Sequence, residues 1–414
     1  ISSLVVILTN QMDIWPAFSE SFATAAQEYF GTYLIMFFLG ALFGKIMGDS
    51  GAAKSIAMAL MRVLGKKNAI LIVVLASAVL SYGGVSLFVC VFSVYPIAMV
   101  LWKEANISKR LFPACMLFGC ATFTMVATPG TPAASNIIPT SYLGTNTYAA
   151  PILGLMVTAI MFVLGYAFLL VCDKRLKLAG EGFVPGENDN VNALSLGDTS
   201  ENPHWLPSIL PLLLVIVIIF STRNALPSLY SVNLALLAGI ILACILYRPY
   251  LKGKSAVGIL ASTSESSIMA LINTAVIVGF GGVVQASAGF GYVVDFALGL
   301  ANLNPFIATG IAVNVVAGVT GSSSGGLTIF MDSLGAQFLE LVQRAGYNPG
   351  ALHRIAAIAS SGLDSLPHSG ATVTCIRYAG VSVKKGWPFV AGTNIVVTII
   401  SLCAGIGLAM MGIC

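Results

Sequence analysis

Charge is what this sequence has least of. Only 9% of its 414 residues are Asp, Glu, Lys or Arg, against 57% hydrophobic residues. That excludes a soluble domain, whose surface has to be clothed in charge. Histidine is scarcer still, at three residues. The eight cysteines are scattered, with no C-x-x-C pair and no histidine partner. This excludes a disulfide framework and a metal site and leaves small core residues. No nucleotide loop, Walker motif or nucleophile–base set is visible, so an ATP-driven pump and an enzyme are both disfavoured. Period-two alternation with regular turns is absent, which argues against an outer-membrane barrel. Nothing points to a nucleic-acid partner.

What remains is apolar sequence spread over nearly the whole chain, with a mean hydropathy of +0.92. Runs at 152–171, 206–220 and 389–411 are long enough to cross ~30 Å of hydrocarbon, given some tilt or local thinning for the shortest. The expected class is an all-α polytopic membrane protein whose first partner is the lipid bilayer.

Taken in order, 10–29 reads as an acidic, aromatic loop, 32–47 as a span and 48–64 as an interfacial helix. Residues 68–102 are apolar but interrupted at Ser81-Tyr-Gly-Gly-Val-Ser86, with basic residues at both ends. One helix over that length would be about 52 Å long. Two legs of about 24 Å make a re-entrant hairpin with the glycines deep in the membrane; two short, tilted full spans with a tight turn are the alternative and leave the topology unchanged. One crossing follows, broken at Thr128-Pro-Gly-Thr-Pro132, then a span from Ala150. Residues 173–204 form the one polar linker, placed in the cytoplasm. Spans at 205–220, 232–247 and 264–286 lead to an interfacial segment at 289–300 and a second hairpin at 306–342. The last span is 389–411.

One offset, 238 residues, relates the two halves. It takes Gly51 to Gly289, Gly83 to Gly321, Ser86 to Ser324, Pro129 to Pro367 and Ala133 to Ala371. Residues 1–172 are thus the first repeat and 205–414 the second, and a further helix is expected ahead of residue 1. Placing the clusters Lys66/Lys67 and Lys103–Arg110 in the cytoplasm brings the first hairpin in from inside and the second from outside. Arg344, His353 and Arg354 are a mild exception. The repeats are therefore expected to be inverted, with the site at the midplane between them.

The stretch with most chemistry is Ser361-Gly-Leu-Asp-Ser-Leu-Pro-His-Ser-Gly370. Pro367 cannot sit mid-helix without freeing backbone groups, and freed groups survive at membrane depth only against protein or a wet cavity. An unwound helix centre lining a substrate site is the expectation; a surface loop is the alternative. His368 titrates near neutrality and is the first candidate to carry a proton. Asp364, four residues before it, faces it if the stretch keeps a helical turn. Asp332 is a third, weaker relay candidate. A structural Asp–His hydrogen bond would explain the first two as well. His204 and His353 read as solvated or interfacial, and Arg377 as the nearest basic residue to mid-membrane, toward the cytoplasmic end of its helix.

An anion would have to be held by helix N-termini and small polar groups. The candidates are Gly83, Gly84 and Ser86 at the first hairpin tip and Thr128, Gly130 and Thr131 at the first break. Ser322, Ser323, Ser324 and Gly325 offer the same at the second tip, and Ser369 and Gly370 at the second break. Glycines and serines that only let helices pack closely are the competing explanation.

Three strings carry a family resemblance: Gly48-Asp-Ser-Gly-Ala-Ala-Lys54, Ser81-Tyr-Gly-Gly-Val85 and above all Gly362-Leu-Asp-Ser-Leu-Pro-His-Ser-Gly-Ala371. With them the chain resembles the gluconate permease (GntP) family of the ion transporter superfamily, along nearly its whole length. The resemblance implies proton-coupled symport of a small sugar acid or similar carboxylate in a bacterial inner membrane. It also implies a homodimer with two hairpins, two broken helices and an elevator-like transport domain, and no cofactor beyond the coupling ion. Where the gluconate-transporting branch has a His-containing Pro-rich turn, this chain has Thr128-Pro-Gly-Thr-Pro132. A smaller hydroxy or short-chain carboxylate therefore fits at least as well as gluconate. Sodium in place of the proton is the runner-up, a sodium/proton antiporter a more distant reading, and a channel is disfavoured by the broken helices.

Overall fold

Where the sequence is apolar and free of Gly–Pro punctuation, the chain is helical. The computed structural model describes residues 13–52, 55–56, 59, 62–63, 65, 68–83, 87–185, 203–222, 225–253, 255–287, 304–367 and 369–414. Among the described residues there is no strand. Five helical stretches among them are long and apolar enough to cross a membrane: Pro16–Met47, Lys109–Ala127, Pro151–Leu178, Leu229–Leu246 and Val383–Met410.

The first helix, α1 (Ala23–Asp49), continues a π-helical lead, Pro16–Phe22. The acidic, aromatic loop expected at 10–29 is therefore helix from Pro16 onward, because its Glu residues sit on one face and leave the other free to pack. Lys45 and Asp49, one turn apart, form an ion pair at 3.2 Å. Two helices, α2 (Ala69–Tyr82) and α3 (Leu87–Ala105), pack on one another around a turn at Gly83. The expected interfacial helix at 48–64 lies mostly outside the described residues, and so do Gly84 and Ser86.

Next, α4 (Phe112–Ala121) passes into a π-helical turn, Phe123–Ala127, and then breaks; α5 (Ala134–Leu143) resumes after Ala133. The helix α6 (Pro151–Leu178) has proline at its first turn, where no donor is lost. It runs six residues into the stretch expected as linker. A helical pair follows, α7 (Trp205–Thr222) and α8 (Ser228–Leu246), then α9 (Ala256–Ala286), which starts eight residues before the expected span. The segment at 289–300 is outside the described residues.

The second hairpin has sharper punctuation. Asn304 caps α10 (Pro305–Thr320), its side-chain oxygen accepting from the Phe306 N–H at 2.8 Å. Gly321 closes it in the left-handed region, at φ 65°. Ser322 then caps α11 (Ser323–Arg344), accepting from the Gly325 N–H. Asn348 caps α12 (Pro349–Ser360) in the same way, and a 3-10 turn, Leu363–Ser365, leads to α13 (Gly370–Tyr378). The last span is α14 (Val383–Val390), a π-helical turn, Ala391–Val396, and α15 (Val397–Met410).

Element order thus recurs. A long helix, a helical pair with a tight turn, a broken helix and a closing helix appear in 16–178 and again in 256–410. The α2 end at Tyr82 maps by the offset onto the α10 end at Thr320.

Packing divides the molecule in two. The helices α1, α7, α8 and α9 form a panel, with α1 against α9 and α8, and α7 against α8. The pairs α2–α3 and α10–α11, both broken helices and the closing helices form a core body, in which α2 packs on α4, α10 on α12 and α11 on α5. Every residue of α4 is buried. By contrast, α6 shows Ile152, Leu155 and Val163 outward, as a lipid-facing helix should. Cys90, Cys115, Cys120, Cys172 and Cys375 are buried as expected, whereas Cys244 and Cys403 are exposed.

Candidate functional site

The two breaks and the two turns meet in the core body. Around the first break, Thr122 and Thr124 turn their hydroxyls onto the carbonyls of Phe118 and Gly119. These side chains take up acceptors that the change of helical pitch frees. Pro129 and Pro132 bring no N–H, and Gly130 stands at φ +81°, a conformation suited to glycine. A side chain at Gly130 would also run into the Tyr148 ring at 2.4 Å.

At the second break, Gly362, Leu363 and Ser365 wrap around two polar side chains. Asp364 Oδ1 accepts from the Gly362 N–H at 2.9 Å and from the Ser365 hydroxyl at 3.1 Å. Asn314, on α10, accepts from the Leu363 N–H at 3.1 Å. Trp387 Nε1 donates to the Ser365 carbonyl at 3.0 Å, which ties α14 to the same loop.

One hydroxyl cluster joins these parts. Ser323, first residue of α11, lies 2.8 Å from the Ser135 hydroxyl on α5 and 2.7 Å from the Ser360 hydroxyl on α12. Ser360 in turn donates to the Ala357 carbonyl. Ser361 donates to the Ala121 carbonyl at 3.1 Å, so the two broken helices touch directly. The first pair joins from the other side: Ser81 donates to the Cys120 carbonyl and Tyr82 to the Pro129 carbonyl. Ser323→Ala removes the middle of the cluster and leaves the Ser135 hydroxyl without its partner, at about 1–2 kcal/mol. The expected result is a folded protein with weakened substrate transport; unchanged uptake kinetics would show that the cluster is only packing.

Two buried polar groups are left over at the breaks. Thr131 Oγ1 and Asn314 Nδ2 have no hydrogen-bond partner among the described residues. Buried donors are satisfied in the great majority of cases, so such groups mark places where a ligand or water completes the structure.

Sequence reasoning missed the most highly charged feature of this region. His353, expected to be solvated or interfacial, and Arg354, noted only as an exception to the charge pattern, are both fully buried. The Arg354 guanidinium donates to the carbonyls of Val126, Thr147 and Ala149 and to Asn136 Oδ1. Among the described residues no carboxylate pairs with it. Asn136 is held by its Nδ2 donating to the carbonyls of Thr131 and Thr147, both at 2.9 Å, which fixes its amide orientation. Its Oδ1 therefore accepts from His353 Nε2 at 3.1 Å, leaving Nδ1 to accept from the Thr145 hydroxyl at 2.7 Å. Arg354 thus braces the first break from α12. The departure from the positive-inside pattern at His353 and Arg354 was the available signal.

The other expected residues fall as follows. Gly83 lies against Leu212 of the panel, where a side chain would overlap it at 1.8 Å. Thr128 points at Thr158 on α6, at 3.2 Å. Gly325 gives its N–H to the Ser322 cap. Ser369 is buried, and Gly370 has open space around its Cα. His368 lies outside the described residues. The helical turn expected to bring Asp364 to it is interrupted: Leu366 is extended, at φ −58° and ψ 159°, as the residue before a proline tends to be. Asp332 is not at the breaks; it lines a separate cavity with Tyr142.

Apolar spans folded around two broken helices and a buried polar cluster define a polytopic membrane transporter. The comparisons agree. A family profile described as GntP family permease matches residues 1–413. The chain is 34% identical over 413 residues to the "Uncharacterized transporter YxjC" of Bacillus subtilis (strain 168), across 92% of this chain and 87% of that protein. The chain belongs to the GntP permease family.

Proposed function

We propose that this permease is a secondary carrier that moves a small hydroxy- or sugar-acid anion together with protons, by alternating access in a bacterial inner membrane. The observation that carries this reading is the meeting of both breaks at the buried Ser135–Ser323–Ser360 cluster, which ties α5, α11 and α12 together. The unpaired Thr131 and Asn314 groups supply donors for a carboxylate and hydroxyls. The N-termini of α5, α11 and α13 open toward the same breaks and favour an anion. Arg354 adds positive potential beside the first break, and no carboxylate among the described residues pairs with it.

In this reading the two repeats are inverted and their hairpins re-entrant. At 14 residues, α2 reaches about 21 Å, short of a full crossing. The panel of α1, α7, α8 and α9 is the scaffold, the place for a homodimer contact, and the core body rides against it as an elevator. Asp364 and His368 carry the coupling proton. The Asp364 carboxylate sits in a loop held by neutral donors, so its protonation alters that loop directly.

The test is uptake of labelled gluconate, glycerate, lactate and 3-hydroxybutyrate into proteoliposomes under an imposed pH gradient. Wild type is compared with His368→Ala and Asp364→Asn. The second variant keeps the Oδ1 acceptor and the loop with it. Accumulation of one acid by wild type, lost in both variants, is the expected result. Uptake that needs sodium at fixed pH, or that ignores both substitutions, sinks the proton assignment and puts sodium coupling in its place.

A further inference from the structure

A cavity of about 870 Å³ lies away from both breaks, where the panel meets the core body. One wall is α1 with its π-helical lead; the others are α9, α5 and α11. Eleven of its fourteen lining residues have polar side chains, and three of those are the carboxylates Glu20, Glu28 and Asp332. No Lys, Arg or His is among the fourteen. Such a lining holds water rather than lipid. Its charge also makes it the wrong place for an organic anion and the right place to concentrate cations.

A second observation ties this cavity to the second hairpin tip. Ser324, Thr328 and Asp332 recur at every fourth residue of α11 and so share one face of it. The Thr328 hydroxyl donates to the Ser324 carbonyl at 2.9 Å, and the Tyr142 hydroxyl donates to Asp332. Tyr29, on the cavity wall with Ser324 beside it, is buried and its hydroxyl makes no hydrogen bond of good geometry among the described residues. The polar stripe thus starts at a wet, acidic chamber. It ends one residue from Ser323, in the cluster that joins the breaks.

We infer that this cavity is a cation vestibule for the coupling proton, and that Asp332 takes up the proton there and passes it, through water held along the Thr328–Ser324 face of α11, toward the hairpin tip. The inference rests on the proton-symport reading above. The step balances simply: a hydronium ion gives its proton to the Asp332 carboxylate and remains in the cavity as water. The groups facing Asp332 are Tyr142 from α5, Glu28, Tyr29 and Tyr33 from α1 and Glu20 from its lead; α9 contributes the uncharged Gly282 and Ala286. With hairpin α10–α11 opening outward, as the basic clusters imply, the vestibule faces the outer side.

Two arms of one experiment test this on the full chain in proteoliposomes. In the first, Ser141→Cys places a thiol on the wall, and its peptide is followed by mass spectrometry during reaction with a cationic or an anionic methanethiosulfonate. The cationic reagent is expected to react about tenfold faster or more, with the preference shrinking when Asp332→Asn is added. Equal rates, or preference for the anionic reagent, overturn the vestibule whatever the substrate proves to be. In the second arm, the acid of the panel that wild type accumulates is offered to Asp332→Asn, Asp332→Glu and Thr328→Val. Gradient-driven accumulation is expected to be lost in Asp332→Asn and Thr328→Val and restored in Asp332→Glu. Exchange of labelled for unlabelled acid at equal pH on both sides is expected to persist, which a merely structural defect would not allow. Accumulation that survives Asp332→Asn overturns the relay while leaving proton symport standing. Absence of gradient-driven uptake in wild type overturns the symport reading and the relay with it.

Discussion

Arg354→Met is expected to abolish transport and to lower the thermal midpoint of the detergent-solubilised protein markedly. The guanidinium is fully buried and donates to Val126, Thr147, Ala149 and Asn136. Thr147 and Asn136 keep other donors, from Gly130, Asn136 and His353. The carbonyls of Val126 and Ala149 lose the guanidinium outright. Each abandoned buried acceptor costs about 1–3 kcal/mol, so roughly 3 kcal/mol or more follows once the lost packing against α6 is added. That is a large share of a typical margin of stability. Lysine at this position keeps the charge but not the planar fork that reaches several acceptors at once, so Arg354→Lys is expected to fall between methionine and wild type. Thermal midpoints and uptake measured on the three proteins decide the matter. A methionine variant with wild-type stability and uptake would remove the brace from the account of the first break.

The same residue shows where sequence reading stops. The breaks and hairpin turns were legible because Gly, Pro and Ser mark them locally, and because one constant offset repeats the marks. The burial of Arg354 depends on acceptors more than two hundred positions earlier, and nothing adjacent to it reports them. Near a helix start, His353 and Arg354 look like ordinary solvated residues. The helix from Pro16 was hidden for another reason. Glu20 and Glu28 lower the average hydropathy of 10–29, yet both face the vestibule, and an average cannot see a face. Ala23-Thr-Ala-Ala-Gln27 was the contrary signal, since alanine and glutamine favour helix. Spacing alone paired Asp364 with His368. The extended Leu366 shows that a count of four implies proximity only while the backbone stays helical.

Gly326→Ala is expected to prevent the second hairpin from closing and so to leave little folded carrier in the membrane. A Cβ at Gly326 would stand 2.4 Å from the Ala317 Cα and 2.6 Å from its nitrogen. Both are backbone atoms of α10, so no rotamer change relieves the overlap, and the two legs have to part. Parting them pulls Ser323 from Ser135 and Ser360 and lifts Gly318 from Leu363 at the second break, where an added Cβ would already come within 2.7 Å. One methyl group thus acts on the hairpin, both breaks and the start of the polar stripe together. Gly407→Ala is the matched control: that glycine lies within α15 with nothing within 4 Å of an added Cβ. There alanine is expected to be neutral or to stabilise by up to about 1 kcal/mol. Membrane-inserted yield, gel-filtration profile and thermal midpoint distinguish the two. A Gly326→Ala protein that matches Gly407→Ala in all three would mean that the legs of this hairpin have slack, and the close packing that sets the tip against the breaks would have to be given up.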